Sequence, residues 1–266
     1  MAIVAPAANK EELRERILAA VQDMYTEVAS CPAKGFHFPT GRWACEYVGY
    51  SAAELDAIPK TAVESFAGVG YPFRANVLQR GCTVLDIGSG SGTDILIAAL
   101  KVGPTGKVYG LDMTDAMTAK ASANVRKAGV SNIEIIKGNA EAIPLPNEHC
   151  DVVTSNGVLN LVPDKSAAYQ EIYRVLKRGG YIQISDIVLG RDLSEKSRNN
   201  PQLWAECIVG AMPQEAYLQL IRSAGFEDVQ ILDTLNYFEK SPNESTKKTA
   251  QQYGAITITV VGRKPQ

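Results

Sequence analysis

The densest group of residues able to do chemistry is Val84-Leu-Asp86-Ile-Gly88-Ser89-Gly90-Ser-Gly92. A short apolar run, Thr83–Ile87, precedes the glycines and a helical pattern, Asp94–Val102, follows them. Glycines at such a turn admit positive φ and let the backbone come close to a ligand. The dinucleotide fingerprint G-x-G-x-x-G sets its third glycine one position later. Here the spacing is G-x-G-x-G, with an acid two positions before the first glycine. That combination suits a ligand with a zwitterionic amino-acid tail and no pyrophosphate. Asp86 can attract the ammonium, directly or through water, while backbone N–H groups meet the rest. The shortened spacing disfavours a nucleotide-dependent oxidoreductase.

Three further signals stand at strand ends. Asp112 closes the run Lys107–Asp112 and lies 20 positions after Gly92. An acid at that separation is placed to accept both ribose hydroxyls of a nucleoside. Met113 beside it can pack on an adenine face. Gly138-Asn139-Ala140-Glu141 follows a third run, Ile133–Ile136, and is placed for adenine-edge contacts. Ser155-Asn156-Gly157 ends a fourth, Cys150–Ser155. The ligand-binding candidates are therefore Asp86, Gly88, Ser89, Gly90, Gly92, Asp112, Met113, Asn139, Ala140, Glu141 and Asn156.

The elements that must position these residues alternate. Helices are predicted over Asp94–Val102, Asp115–Ala128 and Lys165–Leu176, the last stopped by Arg178-Gly-Gly. A fifth strand, Tyr181–Asp186, follows. Strands alternating with such helices imply right-handed βαβ units and a parallel sheet. Before them, residues 10–29 form an amphipathic helix, with Leu13, Ile17, Ala20, Val21 and Met24 at helical spacing. Ser30–Gly49 reads as an aromatic loop, and Ser51-Ala-Ala-Glu as a capping box. After residue 186, Pro201–Met212 and Gln214–Ala224 read as helices, and Asp228–Leu232 and Ile256–Val261 as strands. The last strand could complete the sheet as an antiparallel edge, and Glu239–Gln252 reads as an exposed polar loop. The expected fold is Rossmann-like and doubly wound, with a mostly parallel seven-stranded sheet. Residues 1–79 form a helical cap, 80–190 the ligand-binding core, and 191–266 a C-terminal α+β extension.

The 266 residues carry a net charge of -2, with 45% hydrophobic and 21% charged side chains. That balance excludes disorder as the main state and gives no basic excess for nucleic acid. No apolar run is long enough to span a bilayer, so no membrane partner is expected. Met1–Ala8 lacks the basic start and long apolar core of a secretory signal, which predicts a cytoplasmic protein. Five cysteines, Cys31, Cys45, Cys82, Cys150 and Cys207, show no C-x-x-C pair, and only His37 and His149 could join them. Neither a disulfide framework nor a metal site is expected.

Asp-x-Gly-x-Gly-x-Gly, the second-strand acid and the turn Arg174-Val-Leu-Lys-Arg-Gly-Gly180 together resemble class I S-adenosylmethionine-dependent methyltransferases. The finer resemblance is to arsenite methyltransferases. It is carried by Val102–Thr114, Ser155–Lys165, Ser185-Asp-Ile-Val, Ala205-Glu-Cys207-Ile-Val-Gly-Ala and Ala67-Gly-Val69-Gly70-Tyr-Pro. It implies S-adenosyl-L-methionine as methyl donor, S-adenosyl-L-homocysteine as product, and a small-molecule acceptor held by a monomer or weak homodimer. That family binds trivalent arsenic through several thiolates, soft ligands for a soft centre. Of the matching positions, this chain has Gly157 at one, Val69 at another and Cys207 at a third. Cys31 and Cys45 could stand in spatially.

Cys207, His37 and Asn156 are the catalytic candidates: a thiol for the acceptor, a base, and a polar side chain beside an acceptor pocket. The aromatic stretch of Phe36, His37, Phe38, Trp43, Tyr47 and Tyr50 forms either a lid over that pocket or an ordinary cover. Arg42 meets either an anionic substrate or a surface carboxylate. The alternative function is a regulatory module that binds the donor without methylating.

Overall fold

The computed structural model describes residues 7–193, Trp204 and 208–266. Four helices come first: α1 (Ala7–Ser30), α2 (Gly41–Val48), α3 (Ala52–Asp56) and α4 (Lys60–Val63). The alternating part follows as β1 (Thr83–Ile87), α5 (Thr93–Val102), β2 (Lys107–Asp112), α6 (Asp115–Ala128), β3 (Ile133–Lys137), β4 (Cys150–Asn156), α7 (Lys165–Val175) and β5 (Leu176–Leu189). Then come β6 (Met212–Pro213), α8 (Gln214–Ser223), β7 (Glu227–Leu235), α9 (Glu244–Tyr253) and β8 (Ile256–Arg263).

The sheet runs β3-β2-β1-β4-β5-β8-β7, which gives the expected seven strands in one path, and β6 adds an eighth beside β5. Pairs from β3 through β5 are parallel, while β8 is antiparallel to both β5 and β7. The terminal strand is therefore not an edge: β8 is enclosed and β7 is outermost. Residue burial follows this order. β8 is almost wholly buried, whereas β7 alternates between exposed and half-buried residues as an edge should.

Strand β1 explains the two-faced core. Val84 belongs to a cluster on one face, with Ile95, Ala98 and Met117. Leu85 and Ile87 belong to the other, with Tyr169, Ile172 and Ile221. Neighbouring residues of a strand point to opposite faces, so a β1 buried from Val84 to Ile87 must be covered on both. The chain order reverses between β1 and β4. The crevice at the strands' carboxyl ends opens there, where such sheets bind ligands.

Two expected loops contain helices. Within Ser30–Gly49, α2 buries Ala44, Cys45 and Val48 and is closed by Gly49 at φ 110°. Within Glu239–Gln252, α9 begins at Asn243, whose side chain accepts from the Ser245 and Thr246 amides. It buries only Thr246 and Ala250, so apolar periodicity carries no signal there. The capping box of Ser51 and Glu54 forms as predicted. Of the helix expected over Pro201–Met212, residues 201–203 and 205–207 lie outside the described residues, while 208–211 form a turn and Met212 begins β6. No helix among the described residues is long and apolar enough to cross a membrane.

Candidate functional site

A cleft of about 950 Å³, its open mouth included, lies over the carboxyl ends of β1, β2 and β4. Its floor is the glycine turn. Gly88 adopts φ +71°, and a Cβ there would stand 2.2 Å from a Val158 methyl. Only glycine lets this turn pass so close to its neighbour. The Gly88 and Ser89 amides donate to the Leu111 carbonyl at 2.7 and 3.0 Å. The turn is thereby tied to the end of β2.

Asp112 shares this tie. One carboxylate oxygen accepts the Gly90 amide at 2.9 Å and the other accepts the Thr114 amide at 2.9 Å. Burial pushes its carboxyl upward and these amide donors oppose the shift. Each oxygen keeps acceptor capacity for a further donor, so the oriented carboxylate can receive two adjacent hydroxyls.

Asp86 and Asp94 form a second acidic feature. Asp94, the second residue of α5, lies on the cleft wall, and Asp86 lies behind it, 2% exposed. Burial and the charge of Asp94 push the Asp86 carboxyl well above the usual range, although Thr154 donates to it. Burial pushes Asp94 up to about 6, against hydrogen bonds from Tyr50 and Asn156. Among the described residues no Lys or Arg is paired with either. Ser89 Oγ, also on the wall, is buried with no partner among them.

Asn156 lines the cleft but its amide is already committed. Its Oδ1 accepts the Val69 and Gly70 amides at 2.8 and 3.1 Å. Its Nδ2 reaches the Gly70 carbonyl at 2.9 Å, the Tyr50 phenol at 3.0 Å and Asp94 at 3.2 Å. With two acceptor and two donor sites occupied, Asn156 is a clamp on residues 67–71. Val69 and Gly157, distant in sequence, meet here. A Cβ at Gly157 would stand 3.1 Å from a Val69 methyl.

The other candidates divide. Gly88, Ser89, Gly90, Met113, Asn139 and Ala140 line the cleft. Gly92 does not; it caps α5 at φ 103°. Glu141 does not line it either. Its side chain is 7% exposed, pairs with Arg14 of α1, and accepts the Asp164 amide at 2.8 Å. Glu141 thus braces α1 against the start of α7.

His37 is also away from the cleft. Its ring packs edge-on against Phe38 at 4.6 Å, and burial lowers its pKa to about 4. Its carbonyl accepts from Ser241. Arg42 pairs with Glu46 and Asp56, the surface-carboxylate alternative. No described cysteine lines the cleft: Cys31 is exposed, and Cys45 and Cys150 are buried. Cys207 lies outside the described residues. Among those described, no group of three His, Cys, Asp or Glu could hold a metal.

Of the aromatic stretch, only Tyr50 reaches the cleft's hydrogen-bond network. Trp43 and Tyr47 stack on each other at 5.4 Å, and Trp43 is 52% exposed. The wall is instead supplied by Leu18, Val21 and Tyr25 of α1 and by Phe66. Sequence reasoning found an apolar face of α1 within a cap over residues 1–79, but not that Leu18 and Tyr25 line the cleft. Asp94 was missed because an acid in a helix's first turn reads as a favourable dipole contact.

The sequence profile of a methyltransferase domain family matches residues 78–225, from just before β1 to the end of α8. The chain belongs to that family. It is 34% identical over 220 residues to an arsenite methyltransferase of Halobacterium salinarum, an alignment covering 83% of this chain and 56% of the relative. It is 40% identical over 154 residues to the human arsenite methyltransferase, covering 54% and 41%. The chain thus spans about half the length of the curated relatives it matches. An arsenic(III) S-adenosylmethionine methyltransferase from Chlamydomonas reinhardtii superposes with a TM-score of 0.64 at 29% identity, covering 86% of this chain and 75% of that one.

The cleft fits S-adenosylmethionine, the methyl donor of this family. The donor carries a sulfonium, an ammonium and one carboxylate, and the cleft offers carboxylates with no cation paired to them among the described residues. It carries a ribose, which Asp112 can receive, and an adenine, which Met113, Asn139 and Ala140 can enclose. Bound there, it would supply an electrophilic methyl on a sulfonium sulfur.

Proposed function

We propose that this chain transfers the methyl group of S-adenosylmethionine to a small-molecule acceptor. The observation that supports this most is that one cleft is lined by Asp112, oriented by the Gly90 and Thr114 amides, and by Asp94, which no described cation answers. Methyl transfer from a sulfonium needs mainly in-line approach and exclusion of water. Leu18, Val21 and Tyr25 of α1 would serve that exclusion. In this reading residues 1–79 cap the site, 80–190 hold the donor, and 191–266 complete the sheet and acceptor pocket. The protein acts as a cytoplasmic monomer or weak homodimer.

The names of its relatives make arsenite the first acceptor to test, and Cys207 the thiol to vary. A second acceptor class is favoured by one contact. Where the resemblance placed two thiolates, the Val69 methyls pack over Gly157. Gly157, which lines the cleft over the buried Val69, offers no thiolate and suits a small organic nucleophile.

The test is release of S-adenosylhomocysteine from S-adenosylmethionine, with arsenite and excess thiol in one arm and small organic nucleophiles in another. Release that depends on an acceptor supports the proposal, and the productive arm names its class. Binding of the donor with no release in either arm contradicts it and supports a regulatory module.

A further inference from the structure

We propose that Asp94 is the group by which the cleft tells the sulfonium donor from its thioether product, and that it relays this charge to residues 67–71. This rests on the reading of the cleft as a methyl-donor site.

Asp94 stands where two systems meet. Its Oδ1 accepts the Tyr50 phenol, and its Oδ2 accepts Asn156 Nδ2 at 3.2 Å. The same Asn156 amide holds Val69 and Gly70 by their N–H groups and Gly70 by its carbonyl. Val69 in turn packs over Gly157. A chain of contacts thus runs from the charged wall through the buried Val69 to Gly157 on the cleft lining.

The groups that act on Asp94 are acidic or neutral, and Lys101 of α5 is held by two of them, Glu54 and the Tyr71 phenol. They comprise Asp86 from β1, Glu54 from α3, Cys45 from α2, and the phenols of Tyr50 and Tyr71. Two buried carboxyls with no described cation are relieved by a proton or by a cationic ligand. When the methyl leaves, the S–C bond pair stays on sulfur, the acceptor's lone pair forms the new bond to carbon, and the sulfonium charge disappears. The attraction to Asp94 disappears with it. The product is then held less firmly by this wall, and Asn156 is freer to shift residues 67–71.

The experiment measures the affinities of S-adenosylmethionine and S-adenosylhomocysteine by calorimetry for wild type, Asp94→Asn and Tyr50→Phe, from pH 5 to 8. In Asp94→Asn, affinity for S-adenosylmethionine falls about tenfold or more and that for S-adenosylhomocysteine changes less than about threefold. Wild-type affinity for the donor weakens as pH falls below about 6, where Asp94 takes a proton. In Asp94→Asn that dependence is lost. Tyr50→Phe leaves the carboxylate in place, so it keeps the preference for donor over product. Equal losses for both ligands in Asp94→Asn, or an unchanged pH dependence, overturn the inference while leaving the donor site intact. Failure of the wild-type chain to bind either ligand overturns the donor-site reading itself, and this inference with it.

Discussion

The carboxylates at the mouth of the sheet and those along its flanks are treated in opposite ways. On the flank, Glu54 accepts Lys101 at 2.8 Å, the Tyr71 phenol at 2.6 Å and the Ser51 amide at 3.1 Å. Burial alone would raise its carboxyl, but these donors outweigh it and hold the pKa at about 2. Glu171 takes two bonds from Arg174 and one from the Ile143 amide, and its carboxyl is likewise lowered, chiefly by Arg174. At the mouth, Asp86 and Asp94 are raised by burial, and no described cation answers them. The chain provides a cation where a carboxylate fastens structure. At the cleft the cation is left to the ligand.

The largest effect expected from this contrast lies on the mouth side. Asp112→Ala removes both the proposed ribose acceptor and the tie to the glycine turn. It should weaken S-adenosylmethionine binding by about 100-fold, the loss of two charge-assisted hydrogen bonds. Calorimetry reads this directly, and affinity within about threefold of wild type would dissociate Asp112 from the donor.

A smaller effect sharpens the comparison among raised carboxyls. Asp186 is buried, raised to about 7, and answered by the Tyr217 phenol at 2.8 Å. It does not line the cleft. Binding S-adenosylmethionine should lower the Asp94 pKa by about one unit, since a nearby cation favours the charged form. Asp186 should stay unmoved. Carboxyl-carbon NMR titration with and without the donor distinguishes the two. Both groups bind protons more tightly when folded than unfolded, so their contribution to stability falls as pH rises. The window runs from about 4 to about 6 for Asp94 and to about 7 for Asp186.

The smallest effect is on the flank and has the opposite sign. Glu54 is held below its ordinary value, so its stabilisation is present above about pH 4.5 and is lost as pH falls toward about 2. Glu54→Gln should cost about 1 kcal/mol in urea unfolding at pH 7, because Glu54 and Lys101 keep 20% and 33% side-chain exposure. The cost should shrink as pH falls toward about 2.

What was legible in the sequence follows from range. Asp86, Gly88 and Asp112 announce themselves because turn geometry and strand ends are encoded within a few residues. The seven-strand path followed from alternating patterns, and the place of β8 inside the sheet did not. Asp94 became visible as part of the site only when Tyr50, 44 residues earlier, and Asn156, 62 later, closed on it. His37 misled because a histidine's chemistry is readable and its burial is not. Glu141 has the right type and the right loop, yet Arg14 of α1 takes its carboxylate. The contact of Val69 with Gly157 joins two positions that sequence could only place separately.

The most direct test is calorimetric titration of S-adenosylmethionine into the wild-type chain at pH 6, in buffers of different ionisation enthalpy, to count protons exchanged on binding. A cleft whose carboxylates await a cation should bind the donor and release a fraction of a proton, with less released for S-adenosylhomocysteine. No binding, or binding with net proton uptake, would contradict the account.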